Sequence, residues 1–258
     1  MSRVARIVGG LAIVTALAGC SSERAVEDPA TQEPVTTTAP SPAEPAPSAT
    51  PSGPSVPAGD GSQLSAEQLE AVLAAVNEGE SLNAQIISDA ELRALEEEGA
   101  RRAEEIAVTP AECNIYAESS PESSLIEASR AAMTFAGESS LQPDTVSLSG
   151  LPSEEAAGAQ VQASRDQLNT CSGFTMEISS QEIRTTVMEV EVETAADEDL
   201  ALRTTAQVPG TVQESITVRA AVGSTVVDVL VGGSTDPEAD VDRAELLTDL
   251  VVAELRAP

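Results

Sequence analysis

The sequence predicts an α+β domain in which a largely antiparallel sheet, wound as a meander, is covered by helices on one face. Three observations carry that prediction. Helix starts are marked by reciprocal capping patterns, later segments alternate strictly between apolar and polar residues, and the alternating segments are joined by short turns.

The helices come first. In "LSAEQL", Ser65 caps, Gln68 answers three residues on, and Leu64 and Leu69 form the hydrophobic staple. Leu69, Val72, Leu73 and Val76 then share one helical face. In "ISDAEL", Ser88 and Glu91 repeat the box, with Ile87 and Leu92 as staple. "VTPAEC" reads as a third start: Thr109 caps, Pro110 takes the first turn, Glu112 closes the box and Val108 meets Cys113. A fourth helix spans about Ser153 to Thr170, with Ala157, Val161, Ser164, Leu168 and Cys171 along one side. The last begins at Asp236-Pro237 and turns Ala244, Leu247, Val251 and Leu255 inward. Asp236, Glu238, Asp240 and Asp242 crowd its positive end.

Strands fill the intervals. "FTMEIS" sets Phe174, Met176 and Ile178 against Thr175, Glu177 and Ser179, and "MEVEVE" sets Met188, Val190 and Val192 against Glu189, Glu191 and Glu193. Leu200 to Val208, Val212 to Val222 and Thr225 to Val231 follow, joined at Pro209-Gly210 and Gly223-Ser224. Ala131 to Phe135 and Thr145 to Ser149 are weaker strands of the same kind.

The first nineteen residues read differently. Arg3 and Arg6 precede an apolar stretch from Ile7 to Leu17, which is shorter than the roughly 20 residues a membrane-crossing helix needs. A basic start, a short apolar run and small residues mark a secretory leader. Leu17-Ala18-Gly19-Cys20 closes it, and this segment resembles the lipobox of bacterial lipoproteins, whose cysteine becomes the acylated N-terminus. The resemblance implies a leader over 1–19 and a lipid anchor on Cys20; a plainly secreted protein is the alternative. From Cys20 to Ser62 the chain holds nine of its sixteen prolines among Ser, Thr, Ala and Glu. Such a segment buries too little surface to offset its ordering entropy and is expected to serve as a disordered tether, about 100 Å long when extended. Thr36, Thr37 and Thr38 are candidate sugar acceptors, on composition alone. Residues 63–258 are then a single extracytoplasmic domain of ordinary size.

All thirteen basic residues are arginine, there is no lysine or histidine, and the formal charge is −30. Loss of Arg3 and Arg6 with the leader takes it to −32. Such a charge repels nucleic acid and anionic lipid headgroups, so no nucleic-acid partner is expected. Arginine without lysine, beside abundant Ala, Val and Glu, suggests a GC-rich genome such as an actinobacterium's, with adaptation to high salt as the alternative.

Cys113 and Cys171 fall on inward faces, one at a helix start and one at a helix end. Outside the membrane thiols oxidise, so a Cys113–Cys171 disulfide is expected, with two buried free thiols as the alternative. A metal pair lacks the further Cys or His ligands that soft sites use.

"PAECNIY", then "SEEAAGAQVQASRDQLNTCSGFTM", then "VRAAVGSTVVDVLVGG" and a closing helix stand in an order that resembles the actinobacterial lipoproteins related to the extracellular sensor domain of the receptor kinase PknH. The resemblance spans about residues 65–258 and rests on Pro110 to Cys113 and Thr170 to Gly173, which in that family tie two regions together. It implies helices against an antiparallel sheet that lines a cleft, and a sensing or ligand-binding module without catalysis. This sequence has one possible domain disulfide where the kinase sensor has two. It carries neither a kinase domain nor a transmembrane helix, so any sensing is expected to pass through a partner or cargo.

Chemistry is thin. Without histidine there is no His-based triad or His-ligated metal, and without lysine no Ser-Lys dyad and no phosphate-loop lysine. A pair of carboxylates as in glycosidases is a residual possibility whose spacing a sequence does not reveal. Asp236 to Asp242 lacks the glycine and closing Glu of a calcium loop and reads better as a helix start. The Glu189, Glu191 and Glu193 stripe is the wet face of a strand, with a cation-facing surface as the alternative. No catalytic residue, metal or cofactor is expected, and no ligand-binding residue is assigned. The expected protein is a lipid-anchored module on the outer side of the cell membrane that binds an unidentified ligand or partner in an apolar cleft; a structural or adhesive envelope protein is the alternative.

Overall fold

The computed structural model describes residues 62–103, 106–116, 128–137 and 142–257. Cys20 and nearly the whole tether therefore lie outside the described residues. Among the described residues nine strands form one antiparallel sheet: β1 (Gln85–Ile87), β2 (Ala107–Thr109), β3 (Ser129–Phe135), β4 (Asp144–Gly150), β5 (Gly173–Ile178), β6 (Gln181–Val190), β7 (Glu198–Val208), β8 (Thr211–Val222) and β9 (Thr225–Gly232). Their order across the sheet is β1-β3-β4-β9-β8-β7-β6-β5-β2. The run β5 to β9 is the expected meander. It turns tightly at Gly210 (φ +88°) and Gly223 (φ +52°), a left-handed backbone that glycine adopts without a Cβ clash. Among the described residues there are four α-helices: α1 (Ala66–Glu80), α2 (Asp89–Ala103), α3 (Glu154–Thr170) and α4 (Pro237–Leu255).

The α+β class and the antiparallel meander are as predicted, but the helices divide between both faces. Register shows why. Along β8, Ile216, Val218, Ala220 and Val222 point into one core with Leu69, Leu73, Leu247 and Val251 of α1 and α4. The intervening Ala221 joins a second core with Ala157 and Val161 of α3, Leu200, Phe174 and the two cysteines. Side chains alternate with a period of two, so the two cores lie on opposite sides. The sequence hides this because Thr217 and Arg219, which look like solvent-facing positions, are buried, and Arg219 is bonded to Ser164 of α3. Burying Leu69 and Leu73, neither of which is exposed at all, contributes about 1.5–3 kcal/mol each before entropy is counted.

The capping signals hold at Ser65, Ser153 and Asp236, and half of the box forms at Ser88, whose N–H and hydroxyl donate to the Glu91 carboxylate. Gln68 N–H donates to the Ser65 hydroxyl at 3.3 Å and Ser65 N–H donates to the Gln68 side chain at 2.9 Å. Ala156 N–H donates to Ser153, and the Asp236 carboxylate accepts from Glu238 and Ala239 N–H. At Thr109-Pro110, however, the expected α-helix is a short 3₁₀ helix, Ala111–Tyr116. Thr109 ends strand β2, paired with Thr175 of β5, and a single 3₁₀ segment follows it. Two short edge strands, β1 and β2, carry too few residues to show a period. The "MEVEVE" strand lies earlier than expected, ending at Val190. Met188 is 56 % exposed because neither α1 nor α4 reaches that flank of the sheet.

Residues 62 to 64 are bonded onto one end of the sheet. The Ser224 hydroxyl donates to the Ser62 carbonyl at 3.0 Å, and the Gln63 side-chain amide donates to the Gly150 carbonyl at 3.0 Å. A Cβ at Gly150 would lie 2.7 Å from the Leu64 carbonyl, so glycine is what lets the entering chain approach. Gly150→Ala is therefore expected to lift residues 62–64 from the sheet. Faster amide exchange at Leu64 and Leu151, with the α4 amides unchanged, is the check.

Candidate functional site

Helices α2 and α3 share one face of the sheet and leave a strip between them. α3 is fixed over β7 and β8: Arg219 donates to the Ser164 hydroxyl at 2.6 Å, and Arg165 donates to the Asp199 carbonyl at 2.8 Å. α2 is fixed over β3, where Arg130 pairs with Glu96 and lies 3.7 Å from Asp89. Strands β3 and β8 are three positions apart in the sheet, or about 14 Å at ~4.8 Å per strand. Helices in contact pack with axes about 8–10 Å apart. Between these two attachments the outer face of β4 and β9 forms a shallow strip, or furrow, whose side chains are half-buried.

Its floor is read from the register. One row across the strands is Ala132, Ser147, Asp228, Arg219, and the next is Thr134, Thr145, Leu230, Thr217. Thr134, Thr145, Ser147, Ser149, Asp228 and Leu230 are all half-buried. The floor is thus hydroxylated, with one carboxylate. The aliphatic faces expected to line a cleft are instead packed under α1 and α4, and the strip left open is the polar face of "TVSLSG".

Arg219, 7 % exposed, is the buried charge on the α3 side of the floor, as Arg130 is on the α2 side. Its guanidinium grips Asp228 through two hydrogen bonds, 2.6 Å to Oδ1 and 3.1 Å to Oδ2, and a third goes to Ser164. This planar fork-to-carboxylate geometry holds Asp228 at the furrow margin and leaves Ser147 beside it as the open hydrogen-bonding group. Glu91, at the start of α2, accepts from Ser88 N–H at 2.9 Å and from the Ser88 hydroxyl. These bonds, the backbone one first, hold its carboxyl below the ordinary 4.5. A lowered folded-state pKa means stability present above the ordinary carboxylate value and lost as pH falls through the lowered one. Fraying of Glu91 and Leu92 amides between pH 5 and pH 3 is expected, ahead of α1; NMR amide exchange measures it.

The other sequence candidates are dispersed. The structure joins Cys113 and Cys171 as a disulfide with Cα atoms 5.5 Å apart, pinning the 3₁₀ helix to the end of α3. The glutamate stripe does not form one surface. Glu189 lies 3.8 Å from Arg165 on the α3 side, while Glu193, beyond the strand, donates its N–H to Glu245 of α4. Asp236 caps α4, and Asp240, 5 % exposed, accepts from Ser234 N–H. Among the described residues no three His, Cys, Asp or Glu side chains are grouped to hold a metal, and no helix is long and apolar enough to cross a membrane. Sequence reasoning placed Ser164 on the inward side of its helix but missed Ser147, Asp228 and Arg219. A lone arginine in the apolar "VRAAV" was their one visible signal.

No family profile matches the chain, and no curated protein is significantly similar to it. Among solved structures, the extracellular domain of PknH from Mycobacterium tuberculosis superposes with a TM-score of 0.51 at 15% identity, covering 75% of this chain and 97% of that one. A putative uncharacterized protein from Mycobacterium smegmatis, the Rv0999 ortholog, gives 0.36 at 18% identity over 59% of this chain and 77% of its own. The first of these shows a shared fold.

Proposed function

We propose that this chain, built on the fold of a kinase's extracellular domain, is a non-catalytic cell-envelope lipoprotein that binds or senses a ligand or partner outside the membrane. In this reading residues 1–19 are removed as a leader, lipid on Cys20 holds the chain to the cell membrane, and residues 20–62 tether the domain 63–258. The observation that supports the binding role is the row of half-buried hydroxyl side chains, Thr145, Ser147 and Ser149, on the sheet face that α2 and α3 share. Support for a non-catalytic role comes from the absence of histidine and lysine from the whole sequence. The charge of −30 argues against a nucleic-acid partner. A structural or adhesive role is the second reading, favoured by the long proline-rich tether.

Native mass spectrometry of the protein purified from its host separates the two. A retained mass that Ser147→Tyr displaces, by filling the furrow floor, supports binding. A bare polypeptide in repeated preparations points to the structural role. Anchoring has its own measurement: Cys20→Ala is expected to move the protein from the membrane fraction to the medium or to leave it uncleaved. Recovery of that variant still acylated would overturn the lipid attachment.

A further inference from the structure

One flank of the sheet has no helix over it on the side of α1 and α4. α1 packs on β3 and β4 and α4 on β8 and β9, while β6, β5 and β2 continue past both. On β6 that face carries Glu182, Arg184, Thr186 and Met188, all exposed. Glu177 of β5 lies opposite Glu182, so one end of the flank is acidic. Arg203 of β7 lies opposite Met188 at the other end, and Gly173 faces Thr186 in the middle, where side chains are small. Arg203 is anomalous. The chain has 43 acidic residues for 13 basic ones, yet among the described side chains Arg203 alone of the arginines has no carboxylate partner. Its Nε is buried without a hydrogen bond, and the bond its guanidinium donates to the Pro237 carbonyl is a long 3.4 Å.

We infer that this flank is the contact face of a two-fold homodimer, in which Arg203 of each copy takes Glu182 of the other. A two-fold axis laid across the strands, midway between Glu182 and Met188, turns the acidic end of one face onto the basic end of its mate. The patch is thus self-complementary, as an isologous contact requires. From Glu182 to Met188 the strand rises about 20 Å at ~3.3 Å per residue, and four strands at ~4.8 Å make the flank about as wide. Each copy then contributes roughly 400 Å² in projection, or about 800 Å² for the pair, the size of a weak and reversible contact. Arg203 supplies the specificity. A guanidinium whose Nε is already out of water without a bond gains more from a carboxylate than a solvated one does. The contact of Glu182 with Arg184, 3.4 Å between two exposed side chains, competes only weakly. Two chains of formal charge −30 repel each other, and this flank is where they repel least, because Arg184 and Arg203 balance Glu177 and Glu182 on it. The inference goes beyond the binding reading and needs no ligand.

Sedimentation of the chain from residue 20 onward, with Cys20→Ser to leave it unacylated, tests the pairing. From about 5 µM to about 1 mM its mass is expected to rise from monomer toward dimer and no further. Arg203→Glu and Glu182→Arg are each expected to weaken the dimer at least about tenfold. Combined in one chain they restore opposite charges across the axis, and pairing is expected to return to within about threefold of wild type. Thr186→Glu, at an exposed position where folding is not at risk, sets two like charges together beside the axis and is expected to weaken pairing as much. A mass that stays monomeric at about 1 mM would overturn the dimer. Dimers that Arg203→Glu and Thr186→Glu leave unchanged, single variants that the combination does not rescue, or growth past two copies would overturn this face as the contact. None of these outcomes touches the retained-mass measurement that tests ligand binding.

Discussion

Reduction of the Cys113–Cys171 bridge lowers the stability of the domain by about 4 kcal/mol on the loop-closure estimate. The two cysteines are 58 residues apart, and both sulfurs sit in the smaller core with Phe174, Met176 and Leu200. For a domain of this size the loss corresponds to about 8–16 °C in Tm. The effect is large because the bridge connects elements with few other ties. The 3₁₀ helix and strand β2 form one edge of the sheet, and β2 pairs over only three residues. Thermal unfolding of the Cys113→Ala, Cys171→Ala double variant against the oxidised protein measures it. A shift below about 3 °C would mean that this edge is already held by packing.

Asp228→Ala is expected to cost about 3–5 kcal/mol, because it leaves the Arg219 guanidinium buried under α3 with only the Ser164 hydroxyl as partner. Removing both charges is a different matter. In Arg219→Met, Asp228→Leu the uncompensated cation is gone, and most of that loss is expected to return. Urea unfolding of the two variants gives the comparison. A single variant within 1 kcal/mol of wild type, or a double variant as unstable as the single, would show that the pair does not fix α3 to the sheet. The same pair sets the position of Asp228 beside Ser147, so the single variant is expected to lose any furrow-bound mass even where it remains folded.

Much of this architecture was legible because its signals are local. The caps at Ser65, Ser153 and Asp236 and the alternation through β7, β8 and β9 are written in consecutive residues, and the structure keeps their positions within a residue or two. The layering was not legible. A strand such as Ile216 to Val222 buries both of its faces, and nothing in its own residues says which helix lies on which side. Strands β1 and β2 were invisible for a different reason: three residues hold no period, and their pairing is dictated by β3 and β5. The furrow was missed because its residues are ordinary. Thr145, Ser147 and Ser149 read as a wet strand face, and only the spacing of α2 and α3, set by Arg130 and Arg219, turns part of that face into a floor between walls. Cys113 and Cys171 were found because cysteine is scarce here and both fell on inward helical faces.

The bonded junction at residues 62–64 has a mechanical consequence. Any pull delivered along the preceding chain arrives first at the Ser62–Ser224 and Gln63–Gly150 bonds, at one end of β4 and β9. Two hydrogen bonds side by side at an end are broken one after another by a peeling force, at low load, and the next element in line is α1. Traction would therefore strip α1 from its core before it reached the sheet, exposing Leu69 and Leu73 while the furrow on the opposite face stayed intact.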